Sequence, residues 1–302
     1  MTSHAQGHPA PRTDRYAISF EFFPPKSDVQ LQNLNACVDR LKAYQPAFVS
    51  MTYGAGGTTR ERSLVAVRDM IQASNLATAA HLTCVGASRD ELDAVIDTFE
   101  EVGVRRYVAL RGDSEGGMTQ PYEPHPEGFT HTADLVRRLK DRGADDISVS
   151  AYPEKHPHSP DWDAELDTLK RKIDAGADRA ITQFFFENDL FEAYLERVHA
   201  AGIAIPIVPG IMPINDFRGV CNFARRCGAS IPDRLQDRFA GLDAGTDGHR
   251  LMAAAVLAEQ IADLVSRGVT TFHIYTLNKA DLPEAICRFL GIPACGEQRA
   301  AA

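Results

Sequence analysis

The chain has no apolar run approaching the ~18 residues of a membrane span, no CxxC pair among its six cysteines and no excess of positive charge. Each absence excludes something. Without such a run there is no basis for a transmembrane helix, and the leader MTSHAQGHPAPRTD lacks the apolar stretch of a secretory signal. Without repeated cysteine spacing, Cys37, Cys84, Cys221, Cys227, Cys287 and Cys295 read as reduced, buried thiols in a reducing compartment, which points to the cytoplasm. A net charge of −9 argues against nucleic acid as a partner, because phosphate backbones want a basic face. An anionic ligand would need a local cluster of cations set against that overall field. No GxGxxG follows the first strand-like run, no nucleophile elbow is visible, and His156-Pro157-His158 is too short and proline-bound for zinc, so no metal is expected.

What is present is ordinary globular material, 44% hydrophobic and 24% charged over 302 residues, enough to bury a core without staples. Short β-rich runs alternate with amphipathic helical stretches. The strand candidates are Tyr16–Pro24, Phe48–Gly54, Ala77–Gly86, Arg106–Asp113, Asp146–Glu154, Arg179–Phe186, Ile205–Pro213 and Thr270–Asn278. Between them, apolar residues recur at helical spacing, as in Leu64, Val67, Ile71 and in Leu92, Val95, Ile96, Phe99. Gly103, Gly143, Gly176, Gly202 and Gly268 sit where helices should end. Eight strand–helix pairs predict an α/β fold of the (β/α)8 TIM-barrel kind, with extra helices in residues 227–267 before the last strand. A doubly wound sheet is the competitor, disfavoured by the uniformly short strands and the missing dinucleotide fingerprint. The expected organisation is a leader at 1–15, one catalytic barrel at 16–292 and a tail at 293–302.

In such a barrel chemistry sits at the carboxyl ends of the strands, and polar groups gather there. Alternation along the first strand puts Ser19 and Glu21 on one face and Ile18, Phe20 and Phe22 on the other. If the phenylalanines lie under the helices, Glu21 points into the barrel mouth; the plainer reading is a strand-end glutamate in solvent. His81, Arg111-Gly112-Asp113, Tyr152, His156 and Gln183 fall at or just after later strand ends. Singly each has an ordinary reading: a hydrogen-bonded structural histidine, a rim ion pair, an amide satisfying backbone groups. Their convergence on one end of one barrel is what suggests a site. The loop Tyr53-Gly54-Ala55-Gly56-Gly57-Thr58-Thr59 is glycine-rich ahead of a helix but lacks the lysine of a P-loop.

The segments Phe20-Glu21-Phe22-Phe23-Pro24-Pro25, Met51-Thr52-Tyr53-Gly54-Ala55-Gly56-Gly57, His81-Leu82-Thr83-Cys84, Ala109-Leu110-Arg111-Gly112-Asp113, Ala151-Tyr152-Pro153-Glu154, Leu169-Lys170-Arg171-Lys172 and Ile181-Thr182-Gln183-Phe184-Phe185-Phe186 resemble, in order, the motifs of bacterial methylenetetrahydrofolate reductases. The likeness runs on through Pro209-Gly210-Ile211-Met212-Pro213 and Phe272-His273-Ile274-Tyr275-Thr276-Leu277-Asn278. It implies FAD at the barrel mouth, NADH or NADPH as donor, methylenetetrahydrofolate as acceptor, ping-pong kinetics, and a homo-oligomer, dimer or tetramer, that binds neither nucleic acid nor membrane. It further implies that Glu21 is the general acid and that Asp113 lies between flavin and pterin. Thr52, His81, Arg111, Gly112, Tyr152, His156 and Lys172 would contact the flavin, while Gln183, Phe223 and Lys279 would contact substrate. Position 279 is Lys where the family often has Arg, and position 165 is Glu where a shorter Asp is common. No counterpart of the eukaryotic regulatory domain is seen, so inhibition by S-adenosylmethionine is not expected.

The implied chemistry is coherent. The substrate methylene bridges two nitrogens, and its ring must open, with a proton at the leaving nitrogen, before hydride can add. A glutamate ordinarily titrates near ~4.3; packing among apolar neighbours and the flavin is expected to raise Glu21 toward the working range. Other readings remain: a flavin-free or different pterin or flavin barrel oxidoreductase, or a non-catalytic folate- or flavin-binding protein, which would have no need of an acid.

Overall fold

A computed structural model describes residues 15–53, 57–113 and 122–295. Most of the expected leader, residues 296–302 of the expected tail, and residues 54–56 of the glycine-rich loop lie outside the described residues. The strands are β1 (Ala17–Phe22), β2 (Phe48–Met51), β3 (Thr78–Thr83), β4 (Arg106–Leu110), β5 (Asp146–Ala151), β6 (Arg179–Thr182), β7 (Ile207–Val208), β8 (Gly210–Ile211) and β9 (Thr271–Tyr275). All pair in parallel in the order β7-β6-β5-β4-β3-β2-β1-β9-β8. The helices between them are α1 (Asp28–Leu41), α2 (Gly57–Ser74), α3 (Arg89–Glu101), α4 (Thr132–Asp141), α5 (Trp162–Asp174), α6 (Asn188–Ala200) and α7 (Phe217–Cys227). Two extra helices, α8 (Asp233–Phe239) and α9 (Asp247–Ser266), precede β9, and α10 (Asp281–Phe289) follows it. This is the expected TIM-barrel-like architecture, and each strand ends earlier than its sequence pattern, because the polar ends leave the ladder as loops.

The ring closes through one interrupted strand. The run expected at Ile205–Pro213 splits into β7, which pairs with β6, and β8, which pairs with β9. Pro209, between them, has no N–H to give the ladder, so the strand breaks there. Its carbonyl still accepts from His273 N at 3.0 Å. The Thr182 hydroxyl replaces a ladder bond by accepting from Gly210 N at 2.9 Å, and the Tyr275 hydroxyl donates to the Thr182 carbonyl at 2.7 Å.

Strand alternation divides the side chains into two cores. Outward residues such as Phe20, Phe22, Met51, Leu82 and Phe272 are fully buried beneath the helices. Each such side chain contributes roughly 2–3 kcal/mol on burial. Inward residues form a smaller cluster of Phe48, Ala79, Val108, Ile181 and Val208 that fills the barrel waist. Toward the amino ends of the strands Asp146 bridges Arg106 and Arg179, and the Arg179 guanidinium lies 5.3 Å over the Phe48 ring. The interior is therefore closed below by this charged bridge and the apolar waist, and opens to a second polar region at the carboxyl end. Gly103, Gly143, Gly176, Gly202 and Gly268, expected as helix ends, all have positive φ, the left-handed conformation that terminates helices at glycine.

The cysteine expectation needs one correction. Cys37, Cys84 and Cys287 are buried, but Cys221 and Cys227 are half-buried and Cys295 is exposed; all six are free thiols. Among the described residues no helix is long and apolar enough to cross a membrane.

The seam yields a stability prediction. A Cβ on Gly210 would meet the Thr182 carbonyl oxygen at 2.2 Å and Tyr275 Cε2 at 2.6 Å. Gly210→Ala should cost about 1–3 kcal/mol by overpacking, seen as a lower thermal or urea midpoint. An unchanged midpoint would show that the ring does not depend on this close approach.

Candidate active site

β1 lies beside both β2 and β9, with Glu21 in register with Ser50 on one side and Tyr275 on the other. That pairing carries the Glu21 side chain into the mouth, where it keeps 19% of its surface exposed. Two imidazoles flank it. His273 Nε2 lies 3.4 Å from Glu21 Oε2 and completes a hydrogen bond. His81 Nε2 lies at the same 3.4 Å distance but without hydrogen-bond alignment, leaving that buried nitrogen without a partner. Behind His273, its Nδ1 is 2.8 Å from Ser19 Oγ. Ser19, Glu21, His81 and His273 thus form one buried polar line through the barrel interior. Below it is the apolar waist.

Burial pushes the Glu21 carboxyl up, but the His81 charge and the His273 hydrogen bond and charge together outweigh it, leaving it below its ordinary value. This corrects the expectation of a raised carboxyl, which considered apolar packing and not the imidazoles. Phe20, moreover, faces the helices on the other side of the strand. His81 moves down chiefly because it is buried, against the pull of Glu21.

A second group surrounds the ends of β4 and β5. Arg111 Nη2 is 3.4 Å from His156 Nε2 and 3.3 Å from His158 Nδ1, while the guanidinium stacks 4.8 Å over Tyr122. His156 also packs edge-on to Tyr152, with ring centroids 4.7 Å apart. His156 Nδ1 accepts from His158 N at 3.0 Å. A neutral imidazole has one accepting nitrogen, so Nε2 carries the proton and turns it toward the guanidinium. Donors outnumber acceptors in this corner. Burial, Arg111, His158, Lys172 and Lys155 push His156 down to about 3. Lys172, buried on α5, donates to the Ser150 carbonyl at 2.9 Å. No carboxylate among the described residues pairs with Arg111, so the rim ion pair with Asp113 is not formed. Asp113 is exposed; burial raises Tyr152 and Cys227, and the Asp113 charge adds to the rise of each. Burial raises Tyr275 as well, with Glu21, Tyr152 and Cys227 adding to it, so these groups share one mouth.

The remaining predicted positions divide. Gly112 has φ +82°, and a Cβ there would meet Val85 Cγ1 at 2.4 Å, so only glycine lets the Arg111–Asp113 turn pass. The Gln183 side-chain amide oxygen Oε1 accepts from Phe184 N at 3.1 Å. Phe184 stacks on Phe223 with centroids 5.5 Å apart, bringing α7 over the site. Thr52 is half-buried and donates its backbone N–H to the Phe22 carbonyl at 2.9 Å. Lys279 is exposed on the segment after β9. Sequence reasoning gave no role to His273, Ser19, Ser50, Thr83, Tyr275 or Glu165. The first five share the inward strand phase of Glu21 and His81, and register alone would have found them. Ser50 Oγ, His81 Nε2 and Thr83 Oγ1 are buried without hydrogen-bond partners, which is costly unless a ligand satisfies them.

The flanking histidines make a testable statement about Glu21. With His81→Leu and His273→Leu combined, burial is left unopposed, and the carboxyl should titrate above its ordinary value rather than below. A carbon-13 NMR titration of labelled glutamate reads this directly. A midpoint that stays low would mean that other groups hold the charge.

A family model described as methylenetetrahydrofolate reductase matches residues 7–291. The 5,10-methylenetetrahydrofolate reductase of Pectobacterium carotovorum is 41% identical over 280 residues, covering 92% of this chain and 91% of that protein. That of Escherichia coli strain K12 is 40% identical over 275 residues, 91% of this chain and 90% of that protein. Among solved structures, an uncharacterized Clostridium thermocellum protein that binds two copies of 5-methyl-5,6,7,8-tetrahydrofolic acid aligns with TM-score 0.58 at 13% identity, covering 91% of this chain and 94% of that one. An aldo-keto reductase from Klebsiella pneumoniae in complex with NADPH aligns with TM-score 0.51 at 14% identity, covering 94% and 88%. At such identities these two speak for the fold alone.

Proposed function

For a chain that belongs to the methylenetetrahydrofolate reductase family, we propose a flavin-dependent hydride transfer at the barrel mouth, with NADH or NADPH as donor and Glu21 as general acid. The chain reduces 5,10-methylenetetrahydrofolate to 5-methyltetrahydrofolate. The observation that carries the acid assignment is the Glu21 carboxyl itself, 3.4 Å from two buried imidazoles and open only toward the mouth.

The residues present fit FAD. Arg111, His156 and Lys172 form a donor-rich corner suited to a diphosphate, in a protein whose net charge is otherwise −9. The partnerless Ser50, His81 and Thr83 atoms suit the heteroatoms of a polar ring system. Tyr152 supplies an aromatic wall, Thr52 a hydroxyl at the rim, and Gly112 a backbone without a side chain. Bound there, the flavin supplies the two-electron chemistry, and the protein supplies position and electrostatics.

The protein's own part concerns the proton. Ring opening needs a proton at the leaving nitrogen, and Glu21 is the group in the mouth that can hold one. A pterin lying over the mouth removes the remaining exposure of Glu21 and strengthens the upward push of burial on its carboxyl. His273, hydrogen-bonded to that carboxyl, and His81 beside it hold the group in place in the mouth. Gln183 offers an amide to the pterin edge or the carboxamide of a nicotinamide. Phe223 covers the shared space, so the two substrates bind in turn. Lys279 meets the folate carboxylates with a point charge in place of a planar fork, and Asp113 holds negative charge beside the ring system.

We further take residues 16–292 as one catalytic domain of a cytoplasmic enzyme. The pairing of β1 with β9 and six free thiols support that reading. We also take the enzyme as a homo-oligomer, dimer or tetramer, on the resemblance to its family.

Glu21→Gln tests the acid assignment. Folate reduction should fall by about a thousandfold or more, the upper range for losing a positioned acid, while NAD(P)H oxidation by an artificial electron acceptor stays within about twofold of the parent. Survival of both reactions would remove Glu21 from the acid role.

A further inference from the structure

Just past β9 the chain turns sharply, and one of its side chains resists the turn. Residues 276–279 form a four-residue turn closed by the Lys279 N–H, which donates to the Thr276 carbonyl at 3.0 Å. Both central residues are left-handed, Leu277 at φ +51° and Asn278 at φ +54°. Asparagine accepts that backbone readily and leucine does not, so the conformation persists only where its surroundings impose it.

The contacts that impose it come from β1. Thr276 is fully buried and donates both its N–H, at 3.1 Å, and its hydroxyl, at 2.6 Å, to the Glu21 carbonyl. The same hydroxyl oxygen accepts from Asn278 N at 3.1 Å. The Asn278 amide then pairs with the backbone of Phe23: its Oδ1 accepts from Phe23 N at 3.1 Å, and its Nδ2 donates to the Phe23 carbonyl at 2.9 Å. A side chain here stands in for the next rung of the β1–β9 ladder. Phe23 is the last residue able to offer one, because Pro24 and Pro25 have no N–H. Lys279 is held from its other side as well. Ala280 is buried, and α10 begins at Asp281, which Arg40 of α1 binds at 2.7 Å. Arg40 also binds Glu284, to which the Tyr44 hydroxyl donates at 3.0 Å. Both anchors of Lys279 therefore lie on the stretch of chain from β1 through α1, which also carries Glu21.

We propose that Asn278 is a positioning residue for the substrate tail: its amide, docked on Phe23, fixes Lys279 at a set place beside the strand that holds the acid. The inference rests on the reading that Lys279 meets the folate carboxylates. Lys279 is exposed, on a long flexible stem. An ion pair made from a backbone that is also free to move would lose most of its gain to ordering that backbone. The clamp makes the ordering part of the fold.

The test compares folic acid with pteroic acid, which lacks only the glutamate, as unreactive probes titrated by calorimetry into the FAD-loaded enzyme. Asn278→Gly is the informative variant, since glycine keeps the left-handed backbone and removes only the amide. In the parent, folic acid should bind about fivefold tighter than pteroic acid, the upper range for an exposed ion pair. In Asn278→Gly and in Lys279→Ala that ratio should fall to within about twofold of unity, with pteroic acid binding as in the parent. The double variant should lose no more than either single one, because the two residues act as one device. A ratio that survives Asn278→Gly but is lost in Lys279→Ala overturns the proposal and leaves the tail contact standing. Losses that multiply in the double variant, or an Asn278→Gly protein that binds both probes equally more weakly, overturn it too, the latter by showing a loosened fold. A ratio that Lys279→Ala leaves unchanged removes the tail contact itself, and the proposal with it.

Discussion

Every strand of this barrel is buried on both faces, and that constraint governs the rest. One face must be apolar to pack beneath the helices, and the other must fill a closed interior too narrow for solvent. The chain meets the first demand with Phe20, Phe22, Met51, Leu82 and Phe272. It meets the second with a small apolar waist and a charged bridge from Arg106 through Asp146 to Arg179. Above the waist, at the carboxyl end, inward positions are polar again and open to the mouth. Glu21, Ser50, His81, Thr83 and His273 occupy them, and a functional mouth follows from the same alternation that builds the core.

The mouth has two electrical regions. Around Glu21 a carboxyl and two imidazoles sit in low dielectric and share charge among themselves. Around Arg111 the donors exceed the acceptors, and burial together with its cationic neighbours drives His156 down to about 3. Desolvated opposite charges placed in separate parts of one opening suit a ligand that is anionic at one end and must receive a proton at the other. The overall charge of −9 makes the cationic corner local and therefore selective.

Much of this was legible in the residues. The strand–helix alternation gave the barrel, and the five helix-ending glycines fell where the left-handed backbone requires them. The inward phase of Glu21 followed from a period of two. The interruption at Pro209 was written in the residue type, yet its repair by Thr182 and Tyr275 needs partners 27 and 66 residues distant in sequence, and no local pattern carries such pairings. The direction of the Glu21 shift was missed for the same reason. Burial can be read from neighbours along the strand, but the imidazoles that reverse it come from β3 and β9. Glu165 was given no role, since periodicity cannot show that it turns inward while Asp161 takes the cap.

The most direct measurement is the visible spectrum of the purified protein during anaerobic addition of NADH and then of methylenetetrahydrofolate. A flavin spectrum that bleaches with NADH and returns with the folate is the predicted result, tying cofactor, donor and acceptor to one mouth. A protein that stays colourless and cannot be loaded with FAD would contradict the flavin chemistry, and a bleached flavin that the folate fails to reoxidise would contradict the assignment of that mouth to the folate.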